Sequence, residues 1–504
     1  MKNTGNSTEK PNILLIMADQ MVPHLTGAYG HPVVRTPALD RLSREGVSFD
    51  SAYSPCPVCA PARASMMTGR YVSDIGAWDN AAPFGCDEPT FAHYLAGAGY
   101  DTALAGKMHF IGPDQLHGFA RRFSTNIYPA GFDWTPVRGK AEVSERSHAR
   151  YYVSENIHVG GWSDYLSYDE QAHFRAAEYL RVKGNERKTR SEAAPFFLTI
   201  SYHHPHEPFQ PPQKYWDLYE GSAIDIPEFP DDLESTYSAM DRWLNTNHGV
   251  AKEPLLKNPE SLKKLRRAYY ALVSYIDDKV ADLLRLLEEN GLGDTMVIFT
   301  SDHGDMLGEK GMVQKRTFYE WSSRVPLIVR FPGGERAGER CRIPVSLIDL
   351  FPTLLRAAGI PREEVPAGDG ESLHSVLDGS VHGAGGRCVF SEYHSQGVHA
   401  PCFMIRRSNY KYILVHGHGS QLFDLEEDPG EWHNLSGNPA HAAVEEDLRS
   451  LILNRFDPVR IDLEAAESIR KRNVVKAAME KTGTLWYADP DFDARKKSMA
   501  QYVP

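Results

Sequence analysis

"TMVIFTSDHG", residues 295–304, is an unbroken apolar and β-branched run that breaks abruptly into Ser301, Asp302, His303 and Gly304. A run this short, without polar alternation, reads as a strand buried on both faces, the kind found in parallel sheets covered by helices. The pattern recurs. "NILLIM" (12–17) runs into Ala18, Asp19 and Gln20, and "FFLTISY" (196–202) runs into "HHPHEPF" (203–209). "DTALA" (101–105) and "VPLIVRF" (325–331) also read as buried strands. Between them lie helical patterns, "TFAHYLAGAG" (90–99), a long amphipathic stretch over 261–291 that stops at Gly291, and residues 346–358. This alternation predicts an α/β fold with a large, mostly parallel central sheet flanked by helices. Ligand crevices of such sheets lie off the carboxyl ends of the strands, so the three polar clusters are expected on one rim.

Composition narrows the function classes. The chain has 504 residues, long enough for two to three domains. Its net charge of −12 comes without a basic stripe, which argues against nucleic-acid binding. Six cysteines are too few for a disulfide scaffold, and no run approaches the ~20 apolar residues of a membrane helix. The polar start "MKNTGNSTEKPN" lacks the apolar stretch of a signal peptide, so a cytoplasmic setting is expected. After a Gly-rich stretch, "SVHGAGGR", short strands appear in "CFMIRRSNYKYILV" and "GSQLFDLEED". We therefore expect a large α/β domain over 1–384, which carries the three polar clusters, and a smaller α+β domain over 385–504.

Asp19, Asp302 and His303 together make a divalent-metal site of the right chemistry, carboxylates with one imidazole. Each cluster alone also has a structural reading: "DHG" as a capped turn, "HHPH" as a proline turn with exposed imidazoles, "GKMH" (106–109) as a loop after a strand. "SPCPVCAPARASMMTGRY" (54–71) sets Cys56 and Cys59 three positions apart, which leaves open a zinc half-site, a redox pair or a converted nucleophile. No second pair or matching histidines support zinc, and a redox pair does not account for Pro61 and Arg63.

"CAPAR", Cys59 to Arg63, resembles the C-x-P-x-R core of the sulfatases in the alkaline-phosphatase superfamily. The longer "CAPARASMMTGR" and the segments "LLIMADQ", "GKMHF", "HHPHEP" and "SDHGDMLGEKG" follow that family's order, so the likeness covers roughly residues 11–480. The resemblance implies an alkaline-phosphatase-like sandwich and a homo-oligomer, dimer or tetramer. It also implies a Cys59 oxidised to formylglycine by a dedicated generating enzyme, and one divalent cation, Ca²⁺ or Mn²⁺. By the same resemblance the metal ligands are Asp19, Gln20, the modified Cys59, Asp302 and His303. His109 is the base for elimination, and His206 with Lys315 the proton donor. Arg63, Lys107 and Lys315 are the cations around the sulfuryl group, and Asn80 is a further polar contact to it. "WDNAAPF" (78–84), "IYPAGFDWTP" (127–136) and "KYWDLYE" (214–220) are similar to choline sulfatases in particular. Against that group, "VRGKAEVSERSHARYYVSENIHVGGW" (137–162) replaces a Trp-rich His-Asn segment, and the chain stops at "SMAQYVP". Trp134 remains as a π face for a substrate. The implied activity is hydrolysis of a small sulfate monoester, with neutral or aromatic esters expected above choline sulfate. A phosphonate monoester or phosphodiester hydrolase of the same superfamily is the alternative, and a non-catalytic sulfate-ester binder the alternative of another class.

Overall fold

The computed structural model describes residues 10–137, 148–190, 193–252, 258–365, 368–380 and 386–483. Strands β1 (Ile13–Asp19), β2 (Val47–Phe49), β4 (Asp101–Gly106), β5 (Arg121–Arg122), β6 (Phe196–Pro205), β7 (Met296–Ser301), β8 (Leu327–Arg330) and β9 (Arg340–Cys341) form one sheet. A short parallel pair, β3 (Ala52–Tyr53) with β10 (Val345–Ser346), lies apart from it. The eight-stranded order is β5-β4-β6-β1-β7-β8-β2-β9. β1, β4, β5, β6 and β7 run parallel, whereas β8 is antiparallel to both its neighbours, so the sheet is mostly but not wholly parallel.

β1 shows why these sequences become central strands. Every residue from Ile13 to Asp19 is buried, and alternate side chains enter different cores. Leu14, Ile16 and Ala18 pack with the long helix Pro259–Glu289 and the helix Asp164–Thr189. Ile13, Leu15 and Met17 pack with the helices Cys59–Thr68, Phe91–Gly97 and Leu350–Ala357 on the other side. A strand with a hydrophobic layer on each face needs an unbroken apolar run.

Several elements differ from the sequence expectation. β6 continues through His203, His204 and Pro205, so "HHPH" is the buried end of a central strand and not an exposed turn. The second unit has four antiparallel strands, β11 (Cys388–Tyr393), β12 (Cys402–Arg407), β13 (Tyr410–Val415) and β14 (Gly419–Asp424), of which "CVFSEY" was not expected. It is followed by the helices Ala442–Arg455 and Pro458–Thr482. The expected boundary at 384 lies outside the described residues, as do residues 138–147 of the segment that departs from choline sulfatases. The two units share a core in which Tyr53, Cys56 and Trp78 pack with Tyr393, Phe403 and Phe456.

One glycine fixes how β4 delivers its polar residues. Gly106 has φ of +93°, and a Cβ there would sit 1.9 Å from the Ser201 carbonyl oxygen of β6. That carbonyl accepts the Lys107 N–H at 2.8 Å, which aims the following side chains at the rim. Gly106→Ala should therefore destabilise the protein by about 2–4 kcal/mol, from backbone clash and strained φ together. Denaturant unfolding checks this, and a loss below about 0.5 kcal/mol would contradict it.

Candidate active site

Four parallel strands end at one rim. β1 ends at Asp19, β4 at Gly106 just before Lys107 and His109, β6 beside His206, and β7 at Ser301 just before Asp302 and His303. The helix Cys59–Thr68 starts against this rim, so Cys59 stands at its positive N-terminal pole.

Cys59 Sγ lies 3.1 Å from His303 Nε2 and 3.9 Å from Asp19 Oδ1. One donor atom each from Asp19, Cys59, Asp302 and His303 lies within 4.8 Å of the others, and all four residues are buried. Arg63 is fully buried and bridges the two carboxylates, with Nη2 at 2.9 Å from Asp19 Oδ2 and Nε at 2.8 Å from Asp302 Oδ2. Lys107 Nζ lies 2.5 Å from Asp19 Oδ2 and 3.8 Å from Cys59 Sγ. Burial pushes the Asp19 carboxyl up, but Lys107, His206 and Arg63 prevail and hold it well below the usual range. Burial and Asp19 likewise raise the Cys59 thiol, and Lys107, Lys315 and His303 outweigh them to bring it down. Cys56, by contrast, packs in the hydrophobic core with its thiol pushed well up by burial. Only one cysteine of the pair belongs to the site.

The donor chemistry fits a hard or borderline divalent ion. His303 Nδ1–H donates to the Gly304 carbonyl at 2.9 Å, which leaves the Nε2 lone pair facing the other donors, as a ligating imidazole needs. Asp302 Oδ1 accepts from the Gln20 and His303 backbone N–H groups at 3.1 and 3.0 Å, fixing the carboxylate.

His206 and Lys315 stand beside this cluster. The imidazole donates from Nδ1 to the Glu207 carbonyl at 2.7 Å and accepts at Nε2 from Lys315 Nζ at 2.7 Å. Burial and the Lys315 charge hold His206 well below the usual imidazole range. Burial would lower Lys315, but Glu207, Cys59 and Asp19 raise it. Gln20 ties Lys315 to two carboxylates. Its Nε2 donates to Glu207 Oε2 at 2.7 Å and to Asp305, and its Oε1 accepts from Lys315. Burial and the neighbouring Glu207 push Asp305 up to about 6.

Among the described residues, neither ring nitrogen of buried His109 has a hydrogen-bond partner, and burial together with Lys107 and Arg63 holds it well below the usual range. Its ring faces Tyr128 at 5.1 Å and Trp134 at 5.8 Å between centroids. Trp134 is 39% exposed at the edge of this aromatic group. Asn80 Oδ1 accepts the Ala60 N–H at 3.0 Å, beside Cys59.

The fold thus gathers the residues singled out in the sequence, with Trp134 outermost. It adds Tyr152, whose OH donates to Asp305 Oδ2 at 2.7 Å, and Gln314, which donates to Glu207; Tyr128 and Asp79 lay inside the quoted "IYPAGFDWTP" and "WDNAAPF" but were not singled out there. Glu207 and Asp305 stood inside the quoted "HHPHEP" and "SDHGD" clusters, where a carboxylate next to predicted site histidines was the available signal.

Comparison with known proteins agrees with this geometry. The sulfatase family model matches residues 11–360, and a second, described as N-sulphoglucosamine sulphohydrolase, C-terminal, matches 308–456. The chain is 38% identical to a choline-sulfatase of Rhizobium meliloti, over 94% of this chain and 92% of that one. It is 28% identical to an arylsulfatase of Clostridium perfringens, over 89% and 95%. A solved putative sulfatase from Bacteroides thetaiotaomicron shares the fold with a TM-score of 0.69 at 23% identity, covering 97% of each chain. The chain belongs to the sulfatase family and is a sulfuric ester hydrolase.

Proposed function

We propose that the protein hydrolyses sulfate monoesters with residue 59 as a formylglycine nucleophile made by a generating enzyme, assisted by one Ca²⁺ or Mn²⁺ ion. The observation that carries this reading is the 3.1 Å approach of Cys59 Sγ to His303 Nε2, inside a donor set that already holds Asp19 and Asp302. Asp19, Asp302, His303 and the modified residue 59 would hold the ion. Gln20 Oε1, which accepts from Lys315 and whose direction is set by the carboxylates of Glu207 and Asp305 on Nε2, would be a fifth donor. When bound, the ion supplies Lewis-acid polarisation and a more acidic hydroxyl at residue 59, and the hydrated aldehyde supplies the two hydroxyls that attack and elimination require.

The chain's own groups then divide the work. Lys107, Arg63 and Lys315 surround the sulfuryl oxygens with fixed cations, preorganised by their bonds to Asp19, Asp302 and Gln20. Asn80, whose Oδ1 is committed to Ala60, turns its NH₂ group to the substrate. The leaving oxygen takes its proton from the Lys315–His206 pair. His206 alone is too weakly basic to carry the proton at neutral pH, so the Lys315 ammonium supplies it while His206 Nε2, at 2.7 Å, holds Nζ in place. His109 is neutral and unpartnered, so it accepts the proton that elimination of sulfate releases.

For the alcohol half of the ester we favour an aromatic or neutral group over choline. Trp134 and Tyr128 make an aromatic wall, with centroids 5.0 Å apart. The Tyr128 face already carries the Lys107 ammonium at 4.4 Å, which leaves it little attraction for a second cation. All six cysteines are unpaired, which supports a reducing, cytoplasmic setting.

Intact-mass analysis of the Cys59 peptide tests the nucleophile. Conversion lowers its mass by about 18 Da, and Cys59→Ala should cut turnover at least about a thousandfold in a folded protein. An unmodified cysteine in fully active enzyme would sink the mechanism. The ion is tested by elemental analysis. Asp302→Asn should lower bound divalent metal per chain by more than about half as well as turnover, because it removes an anionic oxygen donor. Unchanged metal content would remove Asp302 from the ligand set. Competition of an aryl sulfate with choline sulfate should favour the aryl ester by at least about tenfold in kcat/KM, equivalent to about 1.4 kcal/mol. A preference for choline sulfate, or for a phosphonate ester included in the panel, would overturn the substrate assignment.

A further inference from the structure

The helix Pro458–Thr482 begins beyond the residues that either family model matches, yet it reaches the catalytic rim. Arg472, with its side chain 3% exposed, forms a two-pronged ion pair with Asp79: Nη1 to Oδ1 at 2.7 Å and Nη2 to Oδ2 at 2.8 Å. The Asp79 carboxylate is completed by Ser395 Oγ at 2.6 Å and the Ala81 N–H at 2.9 Å. The next residue is Asn80, whose Oδ1 takes the Ala60 N–H at the start of the Cys59 helix. One helical turn after Arg472, Lys476 Nζ donates to the Asp133 carbonyl at 3.0 Å, beside Trp134. A single face of this helix therefore grips the two loops that carry Asn80 and Trp134.

A buried ion pair is a poor source of net stability, because desolvation offsets most of its attraction. It is, however, a stiff one. Planar guanidinium against carboxylate fixes direction as well as distance. We propose that Arg472 is a positioning residue: through Asp79 it sets the angle at which the Asn80 amide meets the sulfuryl group, so the C-terminal helix completes the active site of the catalytic unit. This rests on the reading of Asn80 as a sulfuryl contact. A donor aimed at developing charge loses much of its effect when its orientation relaxes, and removing one such donor costs on the order of 10²–10³ in kcat.

The test is a double-mutant cycle on the purified full-length enzyme with one aryl sulfate, following kcat, KM and thermal unfolding. Arg472→Met should lower kcat by about 10- to 100-fold with KM changed less than about threefold, and Arg472→Lys, which keeps the charge but not the fork, should fall between it and wild type. If Arg472→Met does not fold, Arg472→Lys takes its place in the cycle. Combined with Asn80→Ala, the loss should match that of Asn80→Ala alone within about threefold, because both changes remove the same contact. Losses that multiply would overturn the positioning role while leaving Asn80 a sulfuryl contact. So would full kcat in a folded Arg472→Met protein. Full kcat in Asn80→Ala would remove the contact itself, and this inference with it.

Discussion

The site is organised around Arg63. Its guanidinium lies between two buried carboxylates from the ends of β1 and β7, one oxygen of each in reach at 2.8–2.9 Å. Without it, Asp19 and Asp302 would repel across a medium of low dielectric, and the two strand ends could not approach. Arg63 is also the fifth residue of the helix that begins at Cys59, so the two side chains share one helical face. Docking the arginine on the carboxylates thereby delivers residue 59 to them. The spacing C-A-P-A-R follows from this geometry. Pro61 sits in the first turn, where the N–H it lacks has no helical partner.

The same constraint explains why the rim must be wholly buried. Lys107, Lys315, Asp19, Asp302 and Glu207 are each compensated by an opposite charge or by hydrogen bonds within the cluster. Taken singly, a buried charge of this kind is costly to the fold. Taken as a network, the charges lock one another's positions, and a preorganised site needs no reorganisation as charge develops on a substrate. The central sheet can carry this strain because β1, β6 and β7 are packed by helices on both faces.

Much of this was legible from the chain because β1, β4, β6 and β7 each announce their end by a switch from apolar to polar residues, and parallel strands put those ends together. The reversed β8 was not legible, since "VPLIVRF" reads the same in either direction. Nor was the full length of β6: His203 and His204 look like surface residues until Asp169, on a helix, is seen to accept both backbone N–H groups at 2.6 and 3.0 Å. The Gln20–Glu207–Asp305 network joins residues up to 285 positions apart, a distance over which no local pattern carries information. The helix Pro458–Thr482 was missed for a related reason. Val459, Leu463 and Val474 are exposed on it, which blurs the stripe formed by buried Ile461, Ala465 and Ile469.

Tyr128 packs against both of the rim histidines proposed to move protons. Its ring lies 5.1 Å from that of His109 and 6.0 Å from that of His206. Burial pushes its phenol well above the usual range, so Tyr128 stays neutral and adds no charge to either side. Both imidazoles are depressed by burial, and their tasks diverge only through their partners. His206 has Lys315 on Nε2 and a backbone carbonyl on Nδ1, so its ring is fixed beside an ammonium that carries protons to donate. His109 has neither among the described residues, which is what the proposed base role requires. The proposed acid and base on one rim thus differ in their neighbours, a lysine on one side and an aromatic wall on the other, and not in residue type.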